Sequence, residues 1–202
     1  MKRPQDDSMS RRYVMIIGAA AATGLAVGAH DAFAQGQLPP TPACGADSAP
    51  TMRQTEGPFF TPNSPERQSL LEPGISGRVI ELSGLVLTRG CKPLPGALAD
   101  FWQADTSGAY DNNGFRLRGH QFTDAQGRYR LRTIMPARYT GRTAHIHVKV
   151  QAPSRPVLTT QLYFPDEPGN ARDFLFRPEL LMRVSQSGDG LTGRFDFVLD
   201  IA

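Results

Sequence analysis

The sequence predicts an all-β fold, an antiparallel β-sandwich with little helix, and three observations carry that prediction. Apolar and polar residues alternate over short segments. Gly, Pro, Asn and Asp turns separate those segments at intervals of roughly ten residues, and helical signals are confined to one stretch. The segments lie at Val79–Leu87, Leu98–Gln103, Arg128–Thr133, His145–Val150, Thr159–Phe164 and Arg194–Ile201. In the third, Tyr129 and Leu131 face away from Arg128, Arg130 and Arg132, which makes Tyr129 a core residue. In the fourth, His145 and His147 share one face, and Ile146, Val148 and Val150 share the other. In the fifth, Gln161 and Tyr163 stand opposite Leu162 and Phe164. In the last, Phe195, Phe197, Leu199 and Ile201 form one face and Arg194, Asp196 and Asp200 the other, as in a half-buried strand. Helix is expected only over Pro178–Arg183, which has a proline start and an apolar stripe. This patterning suits a sandwich better than a barrel or an α/β fold.

The chain of 202 residues opens with a basic stretch carrying Ser10-Arg11-Arg12-Tyr13, continues through an Ala/Gly-rich apolar segment and reaches Ala32-Phe33-Ala34. That order predicts an export signal over residues 1–34, its paired arginines those of a twin-arginine signal, and therefore a periplasmic or secreted protein. The apolar segment falls short of the roughly 20 strongly apolar residues of a spanning helix, so no stable membrane insertion is expected. Residues 35–54, with Pro39-Pro40 and Thr41-Pro42, read as an extended leader, and residues 55–202 as one domain. Lys and Arg number 22 against 19 Asp and Glu, spread without dense basic runs, so no nucleic-acid partner is indicated. An oxidising compartment permits a bridge between Cys44 and Cys91, two free thiols being the alternative.

The chemistry concentrates at Ala144-His145-Ile146-His147, where two imidazoles side by side suggest a metal. Beyond the signal the only other histidine is His120, which excludes a site built from many imidazoles, and no Asp or Glu follows soon after His147. Tyrosines are the alternative donors, and Tyr110, Tyr129, Tyr139 and Tyr163 are available. A phenol ionises at about pH 10 in water but far lower on a highly charged cation, so tyrosinate suits iron(III). Tyr139 lies shortly before His145, and Tyr110 lies in a turn leaving the strand that contains Trp102.

The ordered set Thr55-Glu56-Gly57-Pro58-Phe59-Phe60, Cys91-Lys92-Pro93-Leu94-Pro95-Gly96-Ala97, Phe101-Trp102-Gln103-Ala104-Asp105 and Gly108-Ala109-Tyr110-Asp111 resembles the intradiol ring-cleavage dioxygenases. Thr123-Asp124, Gly127-Arg128-Tyr129, Arg132-Thr133-Ile134, Tyr139 through His147 and Thr160-Gln161-Leu162-Tyr163-Phe164 continue it in the same order. The resemblance implies a transthyretin-like sandwich, a non-haem Fe(3+) cofactor held by Tyr110, Tyr139, His145 and His147, and a catecholic substrate cleaved with O2 between its hydroxylated carbons. It implies that Tyr139 leaves the metal as a base when substrate binds, that Arg142 stabilises negative charge on the ring, and that Gln161 supports the oxygen-binding side. Gly57 and Pro58 would line the pocket entrance and Trp102 would pack beneath the site. A homodimer is implied by the same analogy. Only Thr140 and Gly141 separate Tyr139 from Arg142, fewer than in the protocatechuate-cleaving enzymes, and the long helical N-terminal region of the catechol enzymes is missing. Two rivals remain: a transthyretin-like non-catalytic binding module, and a sandwich binding copper or zinc at His145 and His147.

Overall fold

The computed structural model describes residues 49–139 and 141–202. The chain divides into units Met1–Leu38 and Pro39–Ala202, and everything below concerns the second. The predicted export signal and Cys44 lie outside the described residues.

Among the described residues nine strands form two sheets: β1 Val79–Leu87, β2 Leu98–Gln103, β3 Arg118–Phe122, β4 Arg128–Ile134, β5 His145–Gln151, β6 Leu158–Tyr163, β7 Arg183–Ser187, β8 Gly190–Arg194 and β9 Phe197–Val198. One sheet runs β4-β1-β8-β7 with β9 also on β1, and the other runs β3-β2-β5-β6. All pairings are antiparallel except those of β1 with β8 and β9. The core lies between the sheets: Ile80, Leu82, Tyr129 and Leu131 from the first meet Phe101, Ile146, Val148 and Leu162 from the second, all at most 1 % exposed. Tyr129 is in the core as its strand pattern predicts, its hydroxyl donating to Phe195 O at 2.7 Å.

Three strands escape a periodicity argument. β3 places Gly119 and Gln121 inward, β8 fills its inward positions with Leu191 and Gly193, and β7 is a largely exposed polar edge. None offers the alternating large apolar side chains that mark a half-buried strand. The expected strand Arg194–Ile201 is broken at Phe195-Asp196. Phe195, Phe197 and Leu199 are buried as expected, but Asp196 is buried too, at 3 % exposure. Its Oδ1 replaces a backbone acceptor, taking the Leu85 N–H at 2.8 Å. The expected helix Pro178–Arg183 is corrected to one 3-10 turn, Pro178–Leu180, because Leu181 turns extended and Met182 N–H goes to Tyr163 O instead. Gly84 allows the break: a Cβ there would stand 1.7 Å from Phe195 O. Gly84→Ala should therefore cost about 3 kcal/mol or more, read as a lowered urea midpoint with an unchanged slope.

The second sheet is covered on its other face by the segment from Thr51 to Leu70. The sequence reading ends the leader at residue 54, yet Thr51 N–H already donates to Val198 O and Gln54 N–H to Thr159 O, both at 2.8 Å. The segment then crosses from β6 to β3, where the Arg67 and His120 amides bond to His120 O and Pro65 O. Polar residues on that sheet face are thus taken out of water. Cys91 is disulfide-bonded.

Candidate metal centre

Strand register assembles the site. Trp102 on β2 pairs with His147 on β5, which pairs with Gln161 on β6, and His145 pairs with Tyr163. By the two-residue alternation of strands, all five side chains emerge on the covered face. His145 and His147 are 2 % and 1 % exposed. Trp102 stacks on the His147 ring with centroids 4.7 Å apart and planes at 9°.

The tyrosines arrive from turns. Asp105 Oδ1 accepts the amides of Ser107 at 2.8 Å and Ala109 at 3.0 Å, and Asp111 Oδ1 accepts those of Asn113 and Gly114. Two aspartate-capped turns therefore bracket Tyr110 and fix its backbone. Arg142 N–H donates to Tyr139 O at 2.8 Å, closing a tight turn in which Gly141 takes φ +74°. A side chain at 141 would be strained, and the turn sets Tyr139 beside Arg142. Tyr110 and Tyr139 meet edge to face at 5.7 Å, Tyr110 is 6.1 Å from His147 and Tyr139 5.7 Å from His145, ring to ring. All four residues singled out in the sequence as ligands are thereby brought together.

The donor set fits a cation. His145 Nδ1 sits 2.6 Å from Thr143 O, which assigns its hydrogen there and leaves the Nε2 lone pair free. That Nε2 lies 3.1 Å from His147 Nε2, about the spacing of two neighbouring nitrogens bound to one metal at about 2.0–2.1 Å each. The Tyr110 hydroxyl and His147 Nδ1 are buried without a hydrogen-bond partner. Burial, then the positive Arg142, push His145 down to about 4, and burial with the neighbouring His145 holds His147 well below its ordinary value. Both imidazoles are therefore neutral at pH 7, the form in which a ring nitrogen can bind a metal. Burial, then Tyr139, raise the Tyr110 phenol well above its ordinary value, so a strong positive charge is what would ionise it. Among the described residues no group of three or more His, Cys, Asp and Glu is placed to hold a metal, so a cation beside His145 and His147 would need donors of another kind, and the neighbouring phenols are such donors.

Around the four donors lies a shell that the sequence signalled only in part. Phe59 stacks on Tyr110 at 4.5 Å, and Phe60 meets Trp102 edge to face at 4.9 Å. Gly57 backs onto His147, a Cβ there coming 3.6 Å from the ring, while Pro58 is exposed. Arg142 donates from Nε to Asp173 Oδ2 at 2.9 Å and from Nη2 to Gln161 Oε1 at 2.5 Å, with Nη1 3.4 Å from the Tyr139 hydroxyl. Gln161 in turn donates to Thr55 O at 2.9 Å, which ties the covering segment to the site. Arg118, 1 % exposed, donates to Asp111 O and Phe59 O at 2.9 and 2.6 Å, clamping the Tyr110 turn to Phe59. Asp173 and Arg118 were missed: neither stands in a periodic pattern that reveals what its side chain meets.

Burial opposes ionisation of Asp173, but the Thr143 and Leu175 amides and the Arg142 guanidinium outweigh it and hold the carboxyl below its ordinary value. The stabilisation is present above the unfolded value of about 3.9 and is lost as pH falls through the lower folded value. Urea unfolding should therefore show an acid loss of stability below about pH 4 that Asp173→Asn flattens.

Sandwich, paired histidines and paired tyrosines together define a β-sandwich protein with a mixed cluster of imidazoles and phenols. A family model described as Dioxygenase matches residues 55–201, and the chain belongs to the intradiol ring-cleavage dioxygenase family. It is 31% identical over 163 residues to a catechol 1,2-dioxygenase of Acinetobacter baylyi, the match covering 66% of this chain and 52% of that one. It is 34% identical over 154 residues to the protocatechuate 3,4-dioxygenase beta chain of Burkholderia cepacia, covering 61% and 65%. Among solved structures, it resembles the dioxygenase domain of a dioxygenase and carbohydrate-binding protein fusion from Streptomyces sp. SirexAA-E. That match has 61% identity and a TM-score of 0.75 and covers 76% of this chain and 100% of that one. The chain spans about half the length of the catechol 1,2-dioxygenases heading its curated relatives, 52% and 51%.

Proposed function

We propose that this protein is a non-haem iron(III) intradiol dioxygenase. It inserts both atoms of O2 between the hydroxylated carbons of a catechol-type aromatic and yields a cis,cis-muconate-type product. The observation that carries the proposal is the clustering of Tyr110, Tyr139, His145 and His147, whose rings stand 4.7–6.1 Å from one another along the cluster. Bound iron(III) would draw electron density from a catecholate and make its ring reactive toward O2, chemistry that no side chain supplies.

The chain's own residues do the rest. His145 and His147, neutral and buried, hold their positions through Thr143 O and the Trp102 ring. Tyr139 takes a proton from the incoming diol on its phenolate oxygen, and Arg142 Nη1 at 3.4 Å stabilises the negative charge beside it. The same guanidinium, always charged, favours charge spread into the substrate ring, a preorganised contribution. Tyr139 and Arg142 also border an open depression of about 790 Å3. Phe59, Phe60 and Trp102 keep water from the opposite side.

An anaerobic visible spectrum of the iron-loaded protein tests this, taken before and after catechol. A tyrosinate-to-iron(III) band that moves to longer wavelength with catechol is the expected result. A colourless protein with iron bound would overturn the tyrosine assignment, and failure to take up iron would favour a binding module.

Export by the twin-arginine route belongs to the same proposal. The paired arginines support it, as does the disulfide at Cys91, since such bonds persist in oxidising compartments. A folded-protein route also lets iron be loaded before copper and zinc can compete by intrinsic affinity.

A further inference from the structure

Arg142 is held tightly at two corners and meets the Tyr139 hydroxyl at the third. Its Nε is fixed by Asp173 and its Nη2 by Gln161, which leaves Nη1 aimed at the Tyr139 oxygen across 3.4 Å. A guanidinium can turn any edge toward a negative oxygen, so something must choose the edge.

Asp173 has the geometry to choose it. Its side chain is 1 % exposed against 10 % for Arg142, and its carboxylate accepts three donors: Arg142 Nε at 2.9 Å, Thr143 N–H at 3.0 Å and Leu175 N–H at 2.9 Å. The loop that carries it is anchored independently. Asn170 accepts the Thr143 hydroxyl at 2.8 Å and donates to Phe164 O at 2.9 Å, while Tyr163 Oη lies 3.0 Å from Leu175 O. The carboxylate is thus immobile relative to β5 and β6, the strands that bear His145, His147 and Gln161.

We propose that Asp173 is the positioning residue that selects which edge of Arg142 faces the metal centre, acting on turnover through Arg142. The inference rests on the dioxygenase function proposed above. Asp173 makes no hydrogen bond to Tyr139 or to either histidine, its tie to His145 running through Thr143, so toward the metal centre it fixes the direction of the Arg142 charge.

The test is a double-mutant cycle in the iron-loaded full chain, with Asp173→Asn, Arg142→Gln and their combination assayed on catechol. Asp173→Asn should lower kcat about 10–100-fold with KM within about twofold, the cost of misplacing a preorganised group. On the Arg142→Gln background it should change kcat by no more than about twofold, because the route by which it acts is already gone. In metal-free protein, exchange of the Arg142 Nε–H with solvent should speed up at least tenfold in Asp173→Asn. Multiplying losses in the double variant, an unchanged kcat, or unchanged Nε–H exchange would each overturn the proposal. If Asp173→Asn does not fold, Asp173→Glu keeps the charge and displaces it by one methylene; the same cycle then applies, with a smaller loss expected. A wild-type protein that loads iron but neither colours nor turns over any catechol would defeat the proposed function instead. An active wild type with multiplying losses would defeat only the role of Asp173.

Discussion

Tyr110→Phe should abolish catechol turnover while leaving the metal-free protein as stable as the parent or more so. The hydroxyl is buried and makes no hydrogen bond, so removing it should remove a desolvation cost of about 1–3 kcal/mol. The ring stays, and with it the stacking on Phe59 at 4.5 Å. At this chain length each kcal/mol is about 2–4 °C in Tm, so the metal-free variant should melt at or above the parent temperature. In iron-loaded protein the visible tyrosinate band should weaken and kcat fall by about 10³-fold or more, the scale of losing a dominant electrostatic contributor. Calorimetry and the visible spectrum of one preparation decide it: a variant that is destabilised without metal yet coloured and active with it would show that Tyr110 is structural. A copper or zinc site on His145 and His147 would survive the same substitution largely unchanged.

Arg142→Gln should lower kcat about 10²–10³-fold, the typical effect of deleting one preorganised donor to developing charge. Unlike Tyr110→Phe it should also destabilise the fold, because Asp173, 1 % exposed, keeps its charge without its guanidinium. Breaking a buried pair by removing one partner costs about 3–5 kcal/mol. Lysine should not restore the rate: a single ammonium cannot reach Asp173, Gln161 and Tyr139 from one planar fork. Steady-state kinetics on catechol with a parallel denaturant titration separates the two effects. A variant with normal kcat and lowered stability would reduce Arg142 to a structural ion pair.

Both predictions depend on residues that the sequence exposes to different degrees. Tyr110, Tyr139, His145, His147, Arg142 and Gln161 stand in or beside ordered motifs, and the structure gathers all of them around one point. Phe59 lies within such a motif, but nothing in its neighbours says that it stacks on Tyr110. Arg118 belongs to a strand without apolar alternation, and its partners are backbone carbonyls of Phe59 and Asp111, which no side-chain pattern announces. Asp173 sits in a loop 31 residues from Arg142, where one aspartate looks like any other.

What the sequence determined by itself is whatever local rules fix: strand alternation, which put His145 with His147 and Tyr129 in the core, and turn chemistry, which placed Asp105 and Asp111 around Tyr110. Those rules act over a few residues and depend only on backbone geometry and side-chain type. Tertiary structure alone decided the parallel pairing of β1 with β8 and β9, the burial of Asp196 at a strand break, the shortened helix and the Asp173–Arg142–Gln161 chain. Each depends on partners far apart in the chain. A buried polar group is stable only where a distant donor or acceptor meets it, and the packing of the two sheets determines where that meeting occurs.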